Sequence, residues 1–111
     1  MAQARATKTA HAVDASPTFG LSPMLATLGE LPEGEEWVYE IKWDGVRALA
    51  RIDRSGRSRT LRLTSRNDND LTARYPELAD IAEAVPAREL PVLLDGEIVA
   101  FDDDGKPNFG W

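Results

Sequence analysis

The sequence predicts an α+β fold, an antiparallel sheet with a packed helix, and three observations predict it. Short alternating apolar runs recur along the chain, separated by hairpin-length turn signals. One segment, with Leu78, Ile81, Ala82 and Val85 in step, carries helical spacing. No repeated crossover helices are available to join parallel strands, so neighbouring strands must run antiparallel.

Residues 1–20 are rich in Ala and Thr and lack apolar periodicity, which predicts a disordered tail. Asp14 and the thin arginine content argue against a transit peptide. From Leu21 an ordered lead-in is expected, with turns at Pro32 and Gly34. Trp37, Tyr39, Ile41 and Trp43 then alternate with Val38, Glu40 and Lys42, which predicts a first strand. Asp44-Gly45 is a turn signal, and Val46–Ile52 resumes as a second strand. A turn at Arg54-Ser55-Gly56-Arg57 leads to a third strand through Leu61 and Leu63, followed by a polar loop at Asn67–Asp70. The helix tolerates Pro76 in its first turn and is stopped by Pro86. Val92–Asp102 is the last strand, turned by Asp104-Gly105. The chain reaches Phe109-Gly110-Trp111 without a stop signal, and a sheet ending so leaves an edge unpaired. The expectation is a tail at 1–20 and a partial domain at 21–111.

At 111 residues, 42% hydrophobic and 29% charged, the composition is that of a globular domain or a piece of one. No apolar run approaches the ~20 residues of a membrane span, and no signal peptide is present, so a membrane partner is not expected. The absence of cysteine excludes disulfides, thiolate metal sites and thiol nucleophiles, and fits an intracellular protein. The single histidine, His11, lies in the tail, which removes histidine triads and multi-histidine metal sites. Chemistry must therefore use Lys, Arg, carboxylates and hydroxyls. The charge is uneven: seven arginines and one acid between Arg47 and Arg66 make that segment +6 within a chain of net −6. Such a stripe could meet phosphate locally, or be the solvated outer face of a hairpin.

The stretch YEIKWDGVR, Tyr39 to Arg47, gathers reactive parts. A lysine is a nucleophile when its amine is neutral and held still. Lys42 stands on an aromatic-rich segment, Trp43 can anchor the backbone beside it, and Gly45 allows close approach of a ligand. Arg47 is a fixed fork for phosphate or ribose oxygens. Asp44 could orient the lysine or a bound metal. With an arginine and acids around the lysine, attack on phosphorus suits the set better than a Schiff base. The competing reading is a surface lysine in a hairpin.

Lys42-x-Asp44-Gly45-x-Arg47 resembles the nucleotide-attachment motif of the covalent nucleotidyltransferases: ATP-dependent DNA ligases, RNA ligases and mRNA capping enzymes. Three further stretches match in order. Ser22-Pro23-Met24-Leu25-Ala26 is similar to the lead-in of bacterial ATP-dependent DNA ligases, Thr64-Ser65-Arg66-Asn67 to their second motif, and Leu94–Asp102 to their third. Asp68 stands where the second motif usually has glycine, and aspartate can adopt the positive φ that a glycine there would supply. From Leu21 to Trp111 the chain looks like the first half of the adenylation domain (an ATP-grasp-like fold) of the bacterial end-joining ligases. The later lysines and the OB-fold domain of that family have no counterpart in the sequence.

The resemblance implies that Lys42 attacks the α-phosphate of ATP, holds AMP as a phosphoramidate, and passes it to the 5′-phosphate of nicked double-stranded DNA during repair or recombination. Glu40 and Ile41 would border the adenine and Phe109 would stack on it. Arg47 and Arg66 would contact ribose or phosphate. Glu97 would bind a ribose hydroxyl or help hold magnesium or manganese. Nicked DNA is the implied partner, with an end-binding Ku protein as a further one, and a bacterial cytoplasmic, nucleoid-associated location follows. Each residue also has a structural alternative: Glu40 as a cross-strand ion pair, Asp95 and Glu97 as outward acids, Phe109 as core packing. Two other activities compete. An RNA ligase or capping-type transferase is disfavoured by the PMLA lead-in and the LDGEIVAFD strand, and a non-catalytic nucleic-acid-binding module would use the arginine hairpin. The truncation implies weak ATP binding and no nick sealing by this chain alone.

Overall fold

The computed structural model describes residues 18–108. Residues 1–17 and 109–111, including most of the expected tail and Phe109, lie outside the described residues. Among the described residues the sheet has the order β2-β1-β3, with β1 at Val46–Ser55, β2 at Ser58–Ser65 and β3 at Val92–Ile98. Both pairings are antiparallel, as expected. β1 and β2 form a hairpin closed at Gly56, whose φ of 61° is the left-handed conformation that glycine adopts at little cost.

The register divides side chains between two faces, because direct cross-strand partners point the same way. Ala48, Ala50 and Ile52 of β1 share one face with Leu61 and Leu63 of β2 and Val92 and Leu94 of β3. The helical segment packs on β2. It starts at Pro76 as a 3-10 turn through Asp80, continues as α1 at Ile81–Ala84, and ends at Val85 just before Pro86. The proline positions act as the sequence predicts, but only one α turn forms among these residues. Arg59 fixes the end of this segment by donating from Nη1 to the carbonyls of Ala82 (2.7 Å) and Val85 (2.6 Å), which satisfies carbonyls that the helix leaves without partners. Ile52 (0% exposed) and Leu63 (2%) are the centre of this core.

The first expected strand does not form. Residues 37–43 pair with no other strand among the described residues, and Trp37, Val38, Tyr39, Ile41 and Trp43 are all exposed. Period-2 alternation describes a chain that can serve as a strand; a strand exists only where N–H and C=O groups find a partner chain. Here they find local partners: Trp37 N–H donates to Gly34 O and Trp43 N–H to Ile41 O. Tyr39 donates its hydroxyl to Pro32 O, and Trp43 meets Phe101 edge-on at 5.7 Å. The last strand also stops short of Asp102, at Ile98, where residues 99–108 fold over a turn at Gly105 with one bridge between Phe101 and Pro107.

Candidate functional site

The opposite face of the sheet is polar. Arg47, Leu49, Arg51 and Asp53 of β1 lie beside Thr64 and Arg62 of β2 and Glu97 and Asp95 of β3. Arg47 is the cross-strand partner of Glu97, yet its guanidinium turns to Asp95, one pair away. Nε meets Oδ1 at 3.0 Å and Nη2 meets Oδ2 at 2.6 Å, a bidentate fork. Nη1 donates to the carbonyl of Met24 in the lead-in. Hydrogen bonding to Asp95 raises the Arg47 pKa, and the same bonds hold the Asp95 carboxyl below its ordinary value. Asp95 is therefore the partner of Arg47, and not the unpaired outward acid of the alternative reading. Its signal was the register: Asp95-Gly96-Glu97 runs antiparallel to Arg47-Ala48-Leu49.

The other candidates are distributed as follows. Arg66 follows β2 and lines a cavity of about 210 Å³ with Thr18, Gly20, Ser22, Leu49 and Asp68. Asp68 has φ +63°, the conformation expected where glycine is usual. Lys42, Glu40 and Ile41 lie in the unpaired segment, exposed to solvent. Glu97 is exposed on the polar face. Asp44 lines a different cavity, with Tyr75, Leu78 and Ile98. Gly45 was expected to let a ligand approach; a Cβ there would stand 2.2 Å from Ile98 O, so its close neighbour is the chain's own β3. The structure thus brings Arg47, Asp95 and Glu97 together, and leaves the Lys42 side of the motif outside the sheet. Among the described residues no three of His, Cys, Asp and Glu form a metal-holding group. Glu97 stands beside Arg47 on the polar face, and Asp44 lines the separate cavity with Tyr75.

The arginine stripe is also divided. Arg51 and Arg62 are direct cross-strand partners, as are Arg54 and Arg59, and like charges opposite one another are unfavourable unless compensated. Arg51 is bound by Asp53 at 2.6 Å, Arg62 has Asp70 at 3.8 Å, and Arg59 is held by the helix end with Glu83 at 3.7 Å. Among the described residues Arg54, Arg57 and Arg66 make no ion pair. Arg47, Arg51 and Arg62 share the polar face, while Arg54 and Arg59 lie on the other. Among these residues no helix is long and apolar enough to cross a membrane.

The family described as ATP dependent DNA ligase domain matches residues 20–110. The multifunctional non-homologous end joining protein LigD of Mycobacterium bovis is 42% identical over 91 residues, covering 80% of this chain and 11% of that protein. The bifunctional non-homologous end joining protein LigD of Bacillus subtilis is 38% identical over 94 residues, covering 82% of this chain and 14% of that protein. The crystal structure of the ligase domain from M. tuberculosis LigD superposes with a TM-score of 0.51 at 41% identity, over 63% of this chain and 21% of that one. The chain spans about a tenth of the length of the LigD proteins that it matches.

Proposed function

This chain belongs to the ATP-dependent DNA ligase domain family, and we propose from that premise that it carries the nucleophile and one face of the nucleotide site of an end-joining DNA ligase. The observation that carries the proposal is the span of the family match, residues 20–110, which takes in Lys42, Arg47, Arg66 and Glu97 together. The fold would be the first half of a nucleotidyltransferase adenylation domain.

In this scheme the neutral Lys42 amine attacks the α-phosphorus of ATP. A P–N bond forms, the bond to the bridging oxygen breaks, pyrophosphate leaves, and the amine gives up a proton. The AMP is then transferred to the 5′-phosphate at a nick, releasing Lys42, and the adjacent 3′-hydroxyl displaces it to close the strand. Arg47 suits the ribose or phosphate oxygens: with Nε and one N–H of each Nη engaged, an N–H remains on each Nη for a ligand. Glu97, beside it, suits a ribose hydroxyl, and Arg66 suits a phosphate. Glu40 and Ile41 would border the adenine, with Phe109 stacking on it. The family implies a divalent metal as well as ATP; Glu97 is the carboxylate that would help hold it, and the metal would offset charge on the phosphate oxygens. Nicked double-stranded DNA and an end-binding Ku protein are the proposed partners, and the bacterial cytoplasm is the proposed location.

The test is incubation of the chain with α-labelled ATP and magnesium. A low yield of acid-labile label is expected, mapped to Lys42 by mass spectrometry, absent in Lys42→Ala and kept in Lys106→Ala, with no sealing of a nicked duplex. Label that persists in Lys42→Ala would remove Lys42 from the role.

A further inference from the structure

We infer that residues 18–24 form a positioning strap, anchored by Phe19 on Arg51, that sets the orientation of the Arg47 guanidinium. The inference rests on the proposed nucleotide role of Arg47. Five observations carry it.

The strap begins in a tight turn, Leu21 N–H donating to Thr18 O at 2.9 Å. Phe19 adopts φ +54° and Gly20 φ +73°. A left-handed conformation is uncommon for a residue as bulky as phenylalanine and is kept where surrounding contacts impose it. The contact is at hand: the Arg51 guanidinium carbon lies 3.7 Å from the centroid of the Phe19 ring.

Arg51 is only 5% exposed. A buried cation must be paired and covered. Asp53 takes one edge of its guanidinium, at 2.6 and 3.1 Å, and the Phe19 ring covers a face. Arg51 is thus a fixed charged post in the middle of the polar face, to which the start of the strap is fastened.

At its other end the strap delivers the Met24 carbonyl to Arg47 Nη1. Arg47 and Arg51 are four residues apart on one face of β1, and the strap spans the distance between them. Asp95 fixes one edge of the Arg47 fork, and a carbonyl on the remaining nitrogen removes rotation about that pair. Between its ends the strap also walls the cavity that Arg66 lines, through Thr18, Gly20, Leu21, Ser22 and Pro23. One short segment therefore touches the surroundings of both phosphate-directed arginines. Phe19 and Arg51 touch no ligand in this scheme; they are positioning residues acting through Met24.

The experiment is side-chain arginine NMR on the full chain, with ATP affinity measured in parallel. The Nε–Hε signal of Arg47 is identified by its loss in Arg47→Lys. In Phe19→Ala, and in Phe19→Leu, which keeps bulk but not the ring, that signal is expected to broaden and exchange faster. Phe19→Tyr should restore it. ATP affinity should fall about fivefold in Phe19→Ala, and adding Phe19→Ala to Arg47→Lys should cause no further loss. Sheet amide signals of Ile52 and Leu63 report folding. If Phe19→Ala loses them, Arg51→Lys, which keeps the charge for Asp53 but not the planar stack, supplies the same readout. An Arg47 signal unchanged by these substitutions overturns the strap. Equal ATP binding by the wild-type chain and Arg47→Lys instead removes the nucleotide role of Arg47, while the NMR signal still decides the strap.

Discussion

The sheet and the segment before it treat similar residues in opposite ways. In β1, Ile52 is fully buried between β2 and β3; in the 37–43 stretch Ile41 is 70% exposed, although both sit in clean alternating patterns. β1 is flanked by a strand on each side, so its polar backbone is satisfied and its apolar face can be covered. The 37–43 stretch uses local bonds and one aromatic contact. The boundary runs through the Lys42-x-Asp44-Gly45-x-Arg47 motif itself, at Gly45. Arg47 is held by a pairing network, and Lys42 has none among the described residues. A six-residue motif therefore joins a rigid half to a half whose position other contacts must set.

The sharpest way to break that contrast is the same substitution in both halves. Ile52→Ala removes a buried branched side chain from a filled core and should cost about 3 kcal/mol, read as a fall in the denaturant midpoint. Ile41→Ala should change stability by less than about 0.5 kcal/mol, since that side chain is already in solvent. Comparable losses at the two positions would mean that Ile41 packs in solution and that the two regions are not distinct.

The boundary can be tested directly. Gly45→Ala places a methyl 2.2 Å from Ile98 O, a backbone atom that cannot rotate away. The start of β1 or the end of β3 must move, at a cost of about 2 kcal/mol. The effect should be concentrated on the Val46–Ile98 end of the ladder, seen as faster amide exchange there than at Ile52. Uniform exchange would show that this end is not where the backbones are closest.

Much of the fold was legible in the sequence. The β1–β2 hairpin, the polar loop, the proline-bounded helical turn and the last strand all announce themselves through alternation and turn chemistry. The positive φ at Asp68 followed from the glycine usual there. The 37–43 strand was misread because alternation reports what a segment could bury and says nothing about whether a partner is present. The Arg47–Asp95 fork was missed because it is a diagonal contact, set by a register between residues 48 apart in sequence. The arginine stripe looked continuous because one dimension cannot show two faces. Phe19 on Arg51 had no local pattern to reveal it.

The subtlest effect distinguishes the rigid half by pH. The Asp95 carboxyl is held below its ordinary value of 3.8, first by hydrogen bonds from Arg47 and then by its charge. A carboxyl with a depressed folded pKa contributes stability that is fully present above the unfolded value and disappears as pH falls through the folded one. Wild type should therefore exceed Asp95→Asn in stability at neutral pH. The gap should close as pH falls below about 4. It should be the smallest of the three effects, because both side chains of the pair are partly exposed and water screens them. Acid sensitivity will not vanish altogether in Asp95→Asn. Asp70 remains, its pKa lowered by hydrogen bonds from Thr72, with Arg62 adding a smaller contribution. A gap of the same size at pH 7 and in acid would show that Asp95 acts through packing, and that the rigid half of the motif owes nothing to the ionised fork.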